Sequence, residues 1–206
     1  MIFGGDIASI VSVFGTLIIA ISVHEFAHAV TADALGDPTP RQQGRITLNP
    51  LKHLDLLGSM LFLIAGFGWG KPVMTNPRNY RTSVRAGMAT VAVAGPLSNL
   101  ALALLMAVPV RFGFLSDGFL GTFALRFIVL NVLLLVFNMI PIAPLDGFKV
   151  ALGVLPDNMA ATFSRLESIG PLLLLLLLVS GRFGFNVLGA IISPSINFAT
   201  RVLIGA

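Results

Sequence analysis

The chain of 206 residues has no cysteine. This absence excludes a disulfide framework, and it excludes any metal site that uses thiolate ligands. A metal bound by this protein must therefore be held by histidine, aspartate or glutamate. The chain has only three histidines and nine acidic residues, so the position of each one is informative.

Charge is scarce as well. Only 11% of the residues are charged and 56% are hydrophobic, whereas a soluble domain typically has about 25% charged residues. So few polar side chains cannot cover a surface that faces water, and the composition predicts an integral protein of the lipid bilayer. The net charge of +4 comes from basic residues scattered between apolar segments, which is typical of membrane loops and not of a nucleic-acid-binding surface. The length favours a single domain over residues 1–206.

Apolar segments long enough to cross a bilayer recur along the chain. A spanning helix needs about 20 mostly apolar residues, and residues 7–32, 84–110 and 119–140 meet this requirement. Residues 172–178 can form a further span together with their neighbours, and residues 185–206 either span or lie in the interface. We therefore predict an all-α, polytopic bundle of about 4–6 transmembrane helices.

Residues 56–69 form a shorter apolar segment. Its core of about 14 residues suits a re-entrant segment or a short β-hairpin better than a full crossing. Basic residues flank it on both sides: Arg41, Arg45, Lys52, Lys71, Arg78, Arg81 and Arg85. Because basic loops favour the cytoplasmic side, we expect both flanks in the cytoplasm, the N-terminus outside, and the first helix ending inside.

The first apolar segment contains HEFAH, which places His24, Glu25 and His28 within five positions. His24 and His28 are four residues apart, so they share one helix face and can bind one ion together. Glu25 lies about 100° around the helix, which suits a base acting on water beside the ion. H-E-x-x-H on a helix is typical of zinc hydrolases. Each ionisable residue in a membrane helix costs about 2.5–3.5 kcal/mol on insertion scales, so a functional interpretation is favoured over a structural one.

A catalytic zinc site usually has a third protein ligand. The extended pattern H-E-x-x-H-x-x-G-x-x-H fails here, because Thr31 and Ala34 replace its glycine and last histidine. Asp146 is the best candidate, since it follows the third span in FNMIPIAPLDGFKV, where Pro141 and Pro144 break the helix. If the short segment is re-entrant, counting the crossings brings Asp146 to the same side as the two histidines. The alternative, an aspartate that caps a helix N-terminus, remains open on these grounds.

Several motifs in a fixed order resemble the site-2 proteases, a family of intramembrane zinc metallopeptidases. They are HEFAH, GRITLNPLKHLDLLGS, GWGKPV, NPRNYR, AGPLSNL and FNMIPIAPLDG, and they extend over nearly the whole chain. The likeness is to the small bacterial branch without PDZ or CBS domains. It implies one Zn²⁺ per chain, bound by His24, His28 and Asp146, with Glu25 as the general base.

The resemblance also implies roles for two asparagines. Asn138, eight residues before Asp146, is expected beside the site, where it supports the substrate or the oxyanion. Asn99, in AGPLSNL, either packs against a neighbouring helix or faces the substrate. The family often has a second glycine after LDG, and Phe148 takes that place here, which removes no ligand.

Two functions are compatible with these residues. The resemblance implies a zinc endopeptidase of the bacterial plasma membrane that cleaves a transmembrane protein within or near its membrane segment, with the active site toward the cytoplasm. The alternative is a catalytically silent metal carrier or scaffold of the same fold, in which Glu25 has no task. The substrate and a homo-oligomeric state are left open.

Overall fold

The computed structural model describes residues 7–55, 57–58, 60, 68–115 and 117–205. In this part of the chain the backbone is mostly α-helical, and no β-strand forms there. The helices and 3₁₀ turns follow one another as α1 (Ile7–Ala34), α2 (Thr39–Gln42), two 3₁₀ turns (Pro50–Lys52 and Pro77–Asn79), α3 (Val84–Arg111), α4 (Gly118–Asn138), α5 (Asp146–Val154), α6 (Asp157–Phe163), a 3₁₀ turn (Ser164–Glu167), α7 (Gly170–Ser180), a 3₁₀ turn (Gly181–Phe183) and α8 (Val187–Ile204).

Four of these helices, α1, α3, α4 and α8, are long and apolar enough to cross a membrane. A fifth crossing forms if α6, its following 3₁₀ turn and α7 act together as one broken span. Together they are long and apolar enough, but their axes differ by 66°. The predicted all-α, polytopic fold is thus confirmed, and the protein is a multi-pass membrane protein. The C-terminal segment that the sequence left ambiguous forms a helix of spanning length.

The centre of the bundle consists of α1, α3 and α4, with α5 packed on α3. Small side chains fill these contacts: Ala20, Ala29, Ala92, Ala103 and Ala124 are all buried. In a bilayer, lipid tails remove the hydrophobic drive between helices, so close packing through small residues holds helices together. Many larger apolar side chains are exposed on the outside of the bundle, as expected for a surface that faces lipid.

Most of the predicted re-entrant segment, residues 56–69, lies outside the described residues. Its two ends are described, and they meet: Leu54 and Gly70 form an isolated antiparallel bridge, and the Lys71 amide donates to the His53 carbonyl at 2.7 Å. A single crossing would separate these ends by roughly the thickness of the hydrocarbon core, about 30 Å. The residues just before and just after this segment therefore lie next to each other, as a re-entrant segment requires.

Asp37 joins the loop after α1 to the loop before α3. Its carboxylate is fully buried and accepts hydrogen bonds from the amide and hydroxyl of Thr39, the amide of Asn76 and the side-chain amide of Asn79, at 2.5–3.1 Å. Burial alone would raise the pKa of Asp37, but these hydrogen bonds outweigh it and the pKa lies below its ordinary value. These hydrogen bonds hold the segment that precedes Asn76 close to the C-terminal end of α1.

The turn between α4 and α5 sets the position of Asp146. Leu145 is the N-cap of α5, and Asp146 is the first residue of the helix proper. The alternative interpretation of Asp146 as an N-cap is therefore wrong. Gly147 is needed for a close approach, because a Cβ atom there would overlap the Met139 carbonyl. Phe148 is buried and stacks on Phe163, with ring centroids 4.9 Å apart.

Candidate metal centre

Three side chains that are distant in sequence meet at one point between α1 and α5. The Nε2 atoms of His24 and His28 lie 3.0 Å apart. Oδ2 of Asp146 lies 3.1 Å from Nε2 of His24 and 3.3 Å from Nε2 of His28. One ligand atom from each residue falls within 4.8 Å of the others, and this is the only such group found among the described residues.

Each histidine is oriented by a hydrogen bond on its other ring nitrogen. Nδ1 of His24 contacts Oδ1 of Asn99 at 2.7 Å, and Nδ1 of His28 contacts the Val91 carbonyl at 2.7 Å. Both partners are acceptors, so both Nδ1 atoms carry the proton. The Asn99 amide is itself oriented, because its Nδ2 donates to the Ala20 carbonyl at 3.3 Å. In the neutral rings the Nε2 lone pairs therefore point at each other and at Asp146.

This arrangement fits a cation. Two lone pairs and a carboxylate oxygen repel one another at 3.0–3.3 Å, unless positive charge lies between them. A tetrahedral zinc with bonds of about 2.0–2.1 Å places its ligand atoms about 3.3 Å apart, which matches these separations. Hydrogen bonds to the outer nitrogen of zinc-binding histidines are also a general feature of such sites.

The backbone of α3 leaves room for the cluster at Gly95. A Cβ atom at this position would lie 2.5 Å from Nε2 of His24 and closer still to Nε2 of His28. The space that a side chain would take at Gly95 is occupied by the imidazoles of His24 and His28.

Glu25 lies beside the ligand cluster and is held through one oxygen. Its Oε2 accepts a hydrogen bond from the Val73 amide at 3.0 Å and lies 4.0 Å from Nη2 of Arg45. The other oxygen, Oε1, has no hydrogen-bond partner among the described residues. Glu25 lines the same cavity as the three candidate ligands, so its free oxygen is available to a water molecule or substrate.

A cavity of about 580 Å³ contains the cluster. Its apolar wall comes from α1, α3 and α4: Ile21, Met88, Val91, Ala92, Leu134 and Phe137. Residues between positions 68 and 77 form another part of the wall, and Lys149 and Glu167 add charged side chains. A cavity with an apolar wall and a few convergent polar groups is the usual form of a substrate site.

The two asparagines expected near the site take different places. Asn138 lines the cavity, and its Nδ2 donates to the Leu134 carbonyl at 2.9 Å. Asn99 is fully buried behind His24 and does not line the cavity. Of the two alternatives for Asn99, the structure therefore supports packing, in the specific form of a hydrogen bond to a candidate ligand.

Three contacts of the site were missing from the sequence analysis. Asn131 on α4 accepts from Nδ2 of Asn99 at 3.0 Å, so a second buried asparagine stands behind His24. The Val73 amide and Arg45 approach Glu25 from loops. A polar residue inside a predicted span was a usable signal for Asn131, whereas a backbone amide leaves no signal in the sequence.

Comparison with known proteins assigns the family. No family model matches the chain. The chain is 40% identical over 174 residues to the Bacillus subtilis protein described as "Putative zinc metalloprotease YwhC", and the match covers 80% of this chain and 78% of that protein. The chain belongs to the site-2 protease family. It is a zinc metalloendopeptidase, and its cofactor is Zn²⁺.

More distant site-2 protease relatives match a shorter stretch. The chain is 34% identical over 145 residues to "Putative zinc metalloprotease Rip2" of Mycobacterium tuberculosis, covering 67% of this chain and 55% of that protein. The Rip2 protein of Mycolicibacterium smegmatis is 34% identical over 142 residues, with 64% and 52% covered. No solved structure matches the chain. These names do not favour the alternative of a silent carrier or scaffold.

Proposed function

We propose that this site-2 protease cleaves a peptide bond within or near a transmembrane segment of another membrane protein. The observation that carries the proposal is the position of the cluster: His24 and His28 lie on α1, an apolar helix of 28 residues that is long enough to span. A hydrolytic site on such a helix meets substrates that lie in the bilayer. We assign His24, His28 and Asp146 as the zinc ligands.

The two carboxylate oxygens of Glu25 have different roles in the proposed reaction. Zinc, when bound, supplies Lewis-acid polarisation of a carbonyl and makes water more acidic. Glu25 takes the proton of the attacking water through Oε1 and passes it to the leaving amine, which is the usual task of a general base and acid. Oε2 stays on the Val73 amide and fixes the direction of the carboxylate.

The substrate must be extended where it is cut. A peptide bond inside a helix is hydrogen-bonded internally, which hinders attack on it. Residues 71–76 form no helix and run along the cavity beside Glu25, so an extended substrate pairs with this segment in our proposal, as in other cases of strand addition. Asn138 faces the same cavity, and its free amide hydrogen and carbonyl oxygen are assigned to contacts with the substrate.

The orientation in the membrane is part of the proposal. We place the N-terminus outside, the loops at residues 36–55 and 70–83 in the cytoplasm, and the site toward the cytoplasmic face of a bacterial plasma membrane. Because the chain has no cysteine, a single cysteine at Asn76 is a clean probe. Impermeant maleimide should label it only after the cytoplasmic face is exposed, and labelling from outside would overturn the orientation.

Glu25→Gln tests the assigned chemistry. The substitution keeps the size of the side chain and removes its basicity, so cleavage of transmembrane peptides by the purified, zinc-loaded protein should fall about 10²–10⁴-fold. Zinc content should stay near that of the wild type. Glu167→Gln, which changes the other glutamate of the cavity, is the matched control and should retain most of the activity. Wild-type cleavage by Glu25→Gln would refute the assigned role of Glu25.

A further inference from the structure

Arg45 is a buried cation in a loop, only 4% exposed. Its guanidinium donates through Nη1 to the Lys52 carbonyl and through Nη2 to the Lys71 carbonyl. These two carbonyls stand on either side of residues 56–69. Arg45 thus joins the two ends of that segment, and it does so beside Glu25. The sequence suggested only a loop charge for this residue.

The charge of Arg45 points to Glu25. Among the described residues, Glu25 is the one acidic side chain within 4.0 Å of this guanidinium. Both side chains are largely withdrawn from solvent, with 5% of Arg45 and 14% of Glu25 exposed. A buried cation is costly unless an anion and hydrogen bonds compensate it. The Arg45 guanidinium therefore attracts Oε2 of Glu25 and keeps this oxygen turned toward the loop.

The same oxygen is held by a second contact that depends on Arg45. Val73 donates its amide to Oε2 at 3.0 Å, and Val73 follows Lys71 by two residues. Because Arg45 binds the Lys71 carbonyl, it fixes the start of the short segment that presents the Val73 amide. Arg45 reaches Oε2 directly by charge and indirectly through this segment.

We propose that Arg45 is a positioning residue for the proton transfer by Glu25. By holding Oε2, Arg45 and the Val73 amide leave Oε1 as the oxygen that faces the reacting water. Without this restraint the carboxylate turns about its terminal bond and spends less time in the productive direction. This inference rests on the proposed role of Glu25 as the base, and it assigns Arg45 no contact with substrate or zinc.

Arg45→Lys is the first test. Lysine keeps the charge but loses the planar fork that reaches two carbonyls at once. We expect kcat to fall about 10–100-fold, the range seen when partners of active-site groups are removed, with KM and zinc content unchanged. Arg41→Lys is the matched control, because Arg41 is exposed and pairs with Asp33 on the surface; it should behave as the wild type. A rise in KM without a fall in kcat would overturn the proposal.

A double-mutant cycle separates positioning from loop stability. If Arg45 acts through Glu25, then adding Arg45→Lys to Glu25→Gln should change the residual cleavage by no more than about twofold, since coupled residues are not additive. The same fold-loss in both backgrounds would show that Arg45 only stabilises the loop, and would overturn the inference. Full activity of Glu25→Gln alone would instead remove the proposed role of Glu25 as the base, and absence of cleavage by the wild type would remove the proposed function, so these failures are distinguishable from failure of the Arg45 proposal.

Val73→Pro provides a second variant if Arg45→Lys fails to fold. Proline removes the amide hydrogen that binds Oε2 and leaves Arg45 in place. Val73 lies in a segment without helix or strand, so the change interrupts no regular hydrogen-bond ladder there. We expect the same loss in kcat, wild-type zinc content and no further loss in the Glu25→Gln background. Wild-type kcat in Val73→Pro would contradict the proposed restraint on Oε2.

Discussion

The two halves of the candidate site are held by different kinds of structure. The ligand half is built on helices: His24 and His28 are fixed by Asn99 and by the Val91 carbonyl, both on α3. The half that holds Glu25 is built on loops, through the Val73 amide and the Arg45 side chain. Both halves meet in one helix, α1, which carries the histidines and the glutamate.

This difference suggests a division of labour. Helix packing holds the ligand half in place, because its supports lie on long buried elements that small residues bring close together. The loops of the other half are tied by individual polar contacts such as those of Asp37. Substitutions in the helical half should therefore remove zinc, whereas substitutions in the loop half should reduce turnover and leave zinc bound.

The largest effect is expected from the proposed ligands themselves. His24→Ala or Asp146→Ala removes one of three protein ligands, so the purified protein should lose nearly all of its zinc and its peptidase activity. Metal content measured by mass spectrometry on the detergent-solubilised protein checks this. Undiminished zinc content in Asp146→Ala would take Asp146 out of the ligand set. It would also contradict the expectation that substitutions in the helical half remove zinc.

Gly95→Ala should come next. The added methyl group would overlap Nε2 of both histidines, so one imidazole or the backbone of α3 must move away. We expect zinc affinity to fall severely although no ligand is removed. Gly15→Ala is the matched control on α1, because a Cβ atom at Gly15 meets nothing within 4 Å, and its zinc affinity, measured by competition with a chelator, should be that of the wild type.

Asn99→Ala should have an intermediate effect on zinc. It removes the acceptor that orients His24, and loss of such an outer partner typically lowers metal affinity about 10–100-fold. Asn138→Ala provides the contrast, since Asn138 lines the cavity but contacts none of the proposed ligands. Equal zinc affinities for the two variants would mean that Asn99 does not support the site through His24.

Asp37→Asn should change stability and not zinc content. The pKa of Asp37 is lower in the folded protein, so its contribution is fully present above the unfolded value of about 3.9. That contribution is lost as the pH falls from there through the folded pKa. The difference in Tm between wild type and Asp37→Asn should be largest at neutral pH and shrink in acid.

A difference in Tm that stays constant down to acidic pH would show that Asp37 does not act through its ionised form. Asp33→Asn is a suitable control, because the ion pair of Asp33 with Arg41 is exposed and exposed pairs contribute little to stability. Zinc loss in Asp37→Asn would contradict the expectation that substitutions in the loop half leave zinc bound, since it would show that the ligands depend on a loop.

Sequence reasoning predicted the fold class, and it named the three candidate ligands that the structure brings together. The low content of charged residues and the length of the apolar segments were sufficient to predict an all-α membrane protein, because only helices and closed β-barrels can span a bilayer. Asp146 was singled out by its position at the broken end of the third span, and the count of crossings agreed; the structure places its Oδ2 atom 3.1 Å from Nε2 of His24. The interpretation of Arg45 as a loop charge missed its burial, because a charge pattern contains no information about which loops fold over a site.

The sequence by itself determined what depends on neighbours along the chain. A helical repeat of about 3.6 residues puts His24 and His28 on one face and Glu25 beside them, whatever surrounds α1. Only the tertiary structure decided which groups face them: Asp146 across from the histidines, Asn99 behind His24, and Arg45 next to Glu25. The physical reason is that the backbone geometry of a helix fixes the spacing of its side chains, whereas contacts between distant segments depend on how closely the helices pack. At Gly95 that close packing requires a residue without a Cβ atom, because a Cβ there would overlap the imidazoles of His24 and His28.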